Sequence, residues 1–182
     1  KANSEKDAVV RLLPGIAFGD CRHPTTRLAV QGIDYVLRDY GLPPGMQSAL
    51  DMGTGSGILA LVAAYLGVKR VLATDIDACA RKEARDNIQR NHMEGRICVS
   101  KRPLEEITER FFLIASNLRL PTLQRQAPLL TEKLASGGAL VVSGFTAEES
   151  DSLSAVFKGA FHRLWKAREG RWCGIVFLKK AR

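Results

Sequence analysis

No apolar run in the sequence approaches the ~20 residues that a membrane-spanning helix needs. A helical membrane protein is therefore not expected. Cysteine is sparse, with 4 in the chain, and Cys21, Cys79, Cys98 and Cys173 never form a C-x-x-C pair. That spacing speaks against a zinc or disulfide framework and suits reduced thiols in a cytoplasmic protein. No metal site is expected. Repeats and low-complexity segments are absent, and no secretory leader is recognisable in Lys1-Ala2-Asn3-Ser4-Glu5-Lys6-Asp7. The first residue is not Met, as in a processed form or a cut piece of a longer chain. Basic residues are in excess, at a formal net charge of +8, yet no Arg/Lys run carries interleaved aromatics. Direct nucleic-acid binding is not expected from so dispersed a charge. Ribosome contact and a merely solvated basic surface both stay open. What is there is 182 residues with 46% hydrophobic content. That is enough for one domain with a real core and too little for two large ones.

The chain is organised around Asp51-Met52-Gly53-Thr54-Gly55-Ser56-Gly57. Ser48-Ala49-Leu50 precedes it as a short apolar run, and the helix formers Ile58 to Leu66 follow it. A second apolar run, Arg70 to Thr74, then ends on Asp75-Ile76-Asp77. The order is strand, glycine turn, helix, strand, acid: one βαβ unit. Glycines at alternate positions let the backbone turn at positive φ and let a ligand approach it closely. The helix that follows points its free N–H groups into the turn and favours a ligand's anionic end there. Asp75, at the carboxyl end of the next strand, is placed to accept bonds from two ribose hydroxyls.

The glycine spacing selects among nucleosides. A dinucleotide site uses G-x-G-x-x-G and sets a pyrophosphate on the helix start. Here the spacing is G-x-G-x-G, with Asp51 two residues before the first glycine. An acid repels a pyrophosphate but attracts an ammonium or a sulfonium. S-adenosyl-L-methionine carries a ribose, a carboxylate, an ammonium and a sulfonium, so it fits better than NAD.

The rest of the chain reads as alternating elements. Ala8 to Leu13 is a short strand or an extended lead-in. Pro24 starts a helix with Leu28, Val30, Ile33, Val36 and Leu37 as its apolar stripe, ending near Tyr40-Gly41 before Pro43-Pro44-Gly45. A helix over Ala78–Asn91 turns Ala80, Ala84 and Ile88 inward, with Asn87 and Asn91 read as capping or surface residues. Strands follow at Ile97–Val99 and Phe111–Asn117, then a helix over Leu123–Leu134 stopped by Ser136-Gly137-Gly138. A fifth strand (Ala139–Phe145), a helix (Glu148–Phe157) and a hairpin of Phe161–Lys166 with Trp172–Leu178 close the chain. The expected fold is α/β: a Rossmann-like, seven-stranded, mostly parallel sheet with helices on both faces and an antiparallel strand near one edge.

The glycine segment and Asp75 resemble motif I and its acidic follow-up in class I methyltransferases. A second segment narrows the resemblance. Pro14, Gly15, Ala17, Phe18, Gly19, His23, Pro24, Thr25 and Thr26 are similar to the P-G-x-A-F-G-T-G-x-H-P-T-T signature of the PrmA family of ribosomal protein methyltransferases. Asn117-Leu118-Arg119-Leu120-Pro121 stands where that family has a stretch like A-N-I-x-A-x-P-L. Trp172 matches a tryptophan before its last strand. Asp20 replaces a Thr of the signature and Cys21 a Gly, while Leu120 replaces a small residue and Arg119 is charged.

The resemblance implies methyl transfer from S-adenosyl-L-methionine to a protein amine, on a lysine or an N-terminus. The family example of the acceptor is a large-subunit ribosomal protein. It implies a cofactor-binding set of Phe18, Thr26, Asp51, Gly53, Gly55, Gly57, Asp75, Ile76 and Asn117, with Asn117 also able to orient the amine. It covers the catalytic domain only, so residues 1–182 are expected to form a single domain, with 1–13 as lead-in and the family's N-terminal recognition domain absent. A monomer is expected. Readings left open are His23 as a backbone-bonding residue or a base, Phe18 as core or cofactor contact, and both tryptophans as packing. Arg119 reads as a surface or partner contact. A small-molecule methyltransferase and a non-catalytic cofactor-binding protein with a ribosomal partner stay as alternatives.

Overall fold

The computed structural model describes residues 9–41 and 47–181. Strands β1 (Ser48–Met52), β2 (Arg70–Thr74), β3 (Ile97–Ser100), β4 (Phe111–Asn117) and β5 (Leu134–Thr146) run parallel. β6 (Phe161–Glu169) and β7 (Trp172–Lys179) form a hairpin, and β7 inserts antiparallel beside β5. The sheet order is β3-β2-β1-β4-β5-β7-β6. The central strands are apolar at almost every position because both faces are covered.

Neighbouring residues on each strand feed opposite layers, as the pleat requires. Ala49, Leu113 and Val141 pack on one side with helices α1 (Pro24–Asp34), α2 (Ile58–Tyr65) and α3 (Ala78–Arg90). Leu50, Ile114 and Val142 pack on the other side with α4 (Leu120–Lys133) and α5 (Ser150–Phe157). The expected doubly covered, mostly parallel sheet is thus present. Among the described residues no helix is long and apolar enough to cross a membrane.

Several boundaries differ from the sequence reading. α4 begins three residues early, at Leu120, because Arg119 is extended (φ −63°, ψ 148°) and Pro121 fits the first turn. Ser136-Gly137-Gly138 does not stop a helix but lies inside β5, which starts directly after Lys133. α5 starts at Ser150 instead of Glu148. α1 continues over Tyr35–Tyr40 as wider turns, with the Gly41 N–H reaching the Val36 carbonyl. Residues 9–13 join no strand; Ala8 and Pro43-Pro44-Gly45 lie outside the described residues. The strand order reverses between β1 and β4, so a crevice opens at their carboxyl ends.

Candidate active site

The glycine turn between β1 and α2 follows the geometry its residues call for. Gly53, Gly55 and Gly57 have φ of 76°, 54° and 87°, a region that suits glycine. The N–H groups of Gly53 and Thr54 donate to the Thr74 carbonyl at 2.8 and 2.9 Å, which ties the turn to the end of β2. Gly55 N–H donates to Asp75 Oδ2 at 3.0 Å, and Asp77 N–H donates to Asp75 Oδ1 at 3.0 Å. Each carboxylate oxygen of Asp75 so accepts one backbone bond and keeps a lone pair for a further donor.

Asp51 has a different place from Asp75. It is buried and lies outside the cavity wall. Gly57 precedes α2 without a side chain to cap it. Asp51 Oδ2 does that work by accepting from Ala60 N–H at 3.1 Å, and it also accepts from the Thr54 hydroxyl at 2.6 Å. Burial pushes its carboxyl up to about 6, against the two hydrogen bonds that favour the charged form. Its Oδ1 has no partner among the described residues.

A strap formed by residues 11–19 is clamped onto this turn. Asn91 holds Arg11 in both directions, at 2.9 and 2.7 Å, and Asn87 Oδ1 accepts from Leu13 N–H at 2.7 Å. Glu83 Oε2 accepts from the N–H groups of Ile16 and Ala17, each at 3.0 Å. Glu83, Asn87 and Asn91 recur every fourth residue, so they share one face of α3. The asparagines are therefore buried clamps and not surface residues, and Asn91 is also the C-cap of α3, with its amide donating to the Asn87 carbonyl at 2.7 Å. The Asn87 amide also donates to the Ser56 carbonyl at 2.8 Å, and Ser56 returns bonds to the carbonyls of Phe18 and Gly19. A Cβ on Gly55 would sit 2.3 Å from the Phe18 carbonyl oxygen. The glycine is what lets the strap lie this close.

The opposite wall comes from α1 and β4. The His23 ring accepts from Thr25 N–H at 3.3 Å and pairs with its hydroxyl at 2.8 Å. It caps α1 instead of bonding a backbone carbonyl. It also packs between Phe18 and Trp172, with ring centroids 5.3 and 4.8 Å away. Asn117 Nδ2 donates to the hydroxyls of Thr25 and Thr26 at 3.2 and 3.4 Å. Those bonds pin the amide, and its Oδ1 is buried without a partner among the described residues. After Asn117 the chain is held too: Leu118 N–H donates to the Ser143 carbonyl at 3.0 Å. The bulge glycine Gly144, at φ 97°, gives way to the Leu118 backbone. Cys21 adopts φ 63°, which explains a glycine at that point of the signature.

These walls enclose a cavity of about 770 Å³. Of the residues expected at a cofactor, Phe18, Gly53, Gly55, Asp75, Ile76 and Asn117 line it. Thr26, Asp51 and Gly57 lie behind the wall, and Thr25 faces the cavity where Thr26 was expected. Trp172 lines it, although the sequence reading favoured packing. So do Pro103 and Leu104, from the stretch after β3. Ile16, Phe18 and Ile76 are apolar and exposed at its rim.

A family model described as "Ribosomal protein L11 methyltransferase (PrmA)" matches residues 1–180. The chain belongs to the PrmA family. Relatives named ribosomal protein L11 methyltransferase, from Syntrophotalea carbinolica and Pelobacter propionicus, are 38% and 39% identical to it over 97% of its length. The chain spans 57% of each of those PrmA relatives. A solved ribosomal protein L11 methylase from Lactobacillus delbrueckii subsp. bulgaricus superposes with a TM-score of 0.84 at 33% identity. That match covers 95% of this chain and 86% of the other. The fold alone is shared with the N-methyltransferase NodS from Bradyrhizobium japonicum, solved with S-adenosyl-l-homocysteine: TM-score 0.66, 16% identity, coverage 87% and 89%.

Proposed function

We propose that this PrmA-family chain transfers a methyl group from S-adenosyl-L-methionine to an amino group of a protein, on a lysine or an N-terminus. The observation that carries the reading is the Asn117 amide. Its nitrogen is committed to Thr25 and Thr26, and its buried oxygen has nothing to accept from. A buried acceptor without a donor costs about 1–3 kcal/mol, so the position suits a ligand that brings an N–H. An amine does.

The residues around it fit the cofactor. Asp75 keeps two lone pairs for the ribose hydroxyls. Ile76 and Leu104 supply apolar surface for the base. The glycine turn leaves room for close backbone approach, and Phe18 stands over it. Bound S-adenosylmethionine supplies a methyl carbon already activated by its sulfonium. The protein then has to align the amine, keep it neutral and exclude water. Alignment of that kind is worth roughly 7–11 kcal/mol. His23 spends Nδ1 on Thr25, and no carboxylate stands beside Asn117 as a base. The acceptor therefore sheds its proton on docking, which is harder for a lysine near pKa 10.4 than for an α-amine near 8.

The names of the relatives support a large-subunit ribosomal protein as the acceptor. The same reading makes residues 1–182 one catalytic domain, working as a monomer in the cytoplasm. Incubation of the 182-residue chain with labelled S-adenosylmethionine and ribosomal protein L11 tests it. Label on the protein's amines, lost with Asn117→Ala, is the expected result. Cofactor binding with no label on any protein amine contradicts it.

A further inference from the structure

One wall of the cavity carries two guanidinium groups with no partner among the described residues. Arg119 sits at the start of α4 and Arg125 lies one and a half turns further along. Both line the cavity, and neither guanidinium has a hydrogen bond or ion pair among the described residues. Thr122, Arg125 and Gln126 share one helix face, at spacings of three and four, and all three line the cavity. The Gln126 Oε1 is buried and unpartnered. The Arg119 backbone is fixed, since Leu118 before it is anchored to Ser143 and packs over Gly53 and Gly144.

The other charged groups at the cavity are engaged or lie elsewhere. Arg102 pairs with Glu109, Asp75 accepts from Gly55 and Asp77, and Asp77 caps α3. Asp75 and Asp77 follow β2, and Glu105 lies in the turn after β3. The α4 wall is therefore positive. Such a wall disfavours an ammonium and favours the neutral amine that methyl transfer needs. It also attracts an acceptor that brings a negative charge beside its amine. Guanidinium forks match carboxylates in geometry.

We propose that Arg119 and Arg125 recognise a carboxylate that the methyl acceptor carries close to its amine, such as an acidic residue flanking a methylated lysine. This rests on the protein-amine reading above. The arginines then act as specificity determinants and touch the acceptor, not the cofactor.

The test compares peptides that differ only in the residues flanking one lysine: aspartate, asparagine or lysine. The expected KM for the aspartate peptide is about fivefold lower per arginine engaged, the upper end for solvent-exposed ion pairs. Arg119→Gln and Arg125→Gln flatten the preference among the three peptides. Arg110→Gln, at the opposite end of β4, preserves it. Equal KM values for all three peptides, or a preference that survives both cavity substitutions, overturn the proposal. Inhibition by an oligonucleotide that requires Arg119 and Arg125, without any peptide preference, overturns it in favour of a nucleic-acid phosphate. If no peptide is methylated but free aspartate or glutamate is, in an Arg119-dependent way, the protein reading fails while the carboxylate assignment stands. If the cofactor binds and neither peptides nor amino acids are methylated, both fail.

Discussion

The two ends of the cavity are built on opposite principles. At the glycine turn the polar groups that face the cavity have backbone partners, and only Asp51 Oδ1, behind the wall, has none among the described residues. Asp75 accepts from Gly55 and Asp77, Ser56 is tied to the strap, and the strap is tied to α3. At the α4 end polar groups stand without partners: Asn117 Oδ1, Gln126 Oε1, and the guanidiniums of Arg119 and Arg125. The first end is preorganised for one ligand common to the fold. The second holds back its bonding capacity for whatever docks there. Two of the chain's four departures from its family's pattern, Arg119 and Leu120, lie here, while the other two, Asp20 and Cys21, follow the strap. A shared cofactor fixes one half of the site, and a particular acceptor is free to reshape the other.

Five substitutions sharpen that contrast, from large effects to small. Gly55→Ala drives a Cβ into the Phe18 carbonyl at a positive φ. It is expected to cut S-adenosylmethionine affinity by at least about 100-fold in a calorimetric titration. The second prediction uses pH. Burial pushes the Asp51 carboxyl up to about 6 in the folded chain, above its ordinary value of 3.8. Its stability contribution is thus fullest below about pH 4 and is lost as pH rises through about 6, by on the order of 3 kcal/mol. Denaturant unfolding of the wild type and of Asp51→Asn across that window should show the difference shrink; a flat difference contradicts the burial of Asp51.

Asn117→Ala comes next. Methyl transfer should fall about 100-fold, as when one positioned hydrogen-bonding group is removed from a reacting centre. Cofactor affinity should change much less than with Gly55→Ala. Equal losses of binding and rate would mean that Asn117 belongs to the cofactor end. Asn87→Ala removes the bonds to Leu13 and Ser56. It should destabilise the chain by about 2 kcal/mol and expose the strap to limited proteolysis. The smallest effect is Cys21→Gly, which relieves a left-handed residue at φ 63°. A gain of about 1 kcal/mol in unfolding free energy is expected.

Much of this was legible in the residues. The alternating glycines, the two acids and the apolar runs specified the βαβ unit, because turn chemistry and strand burial act locally. The signature from Pro14 to Thr26 located the strap. Less legible were the roles of residues whose partners lie far along the chain. Asn87 and Asn91 are 74 and 80 positions from the backbone groups they hold, so nothing beside them in sequence marks them as buried. Their one visible signal was their four-residue spacing from Glu83, which aligns all three on one helix face. Asp51 was read as a ligand-facing charge. Its use as the cap of α2 follows from Gly57 having no side chain, which only the geometry of the turn makes evident. Thr25 and Thr26 differ by one residue and therefore by about 100° around α1, an angle that sequence alone does not fix.

Calorimetric titration of the 182-residue chain with S-adenosylmethionine, alongside NAD and an Asp75→Ala variant, tests the central claim most directly. Micromolar binding of S-adenosylmethionine, none of NAD, and loss of binding in the variant is the predicted result. Binding that survives Asp75→Ala, or NAD binding of equal strength, would contradict the assignment of this cavity.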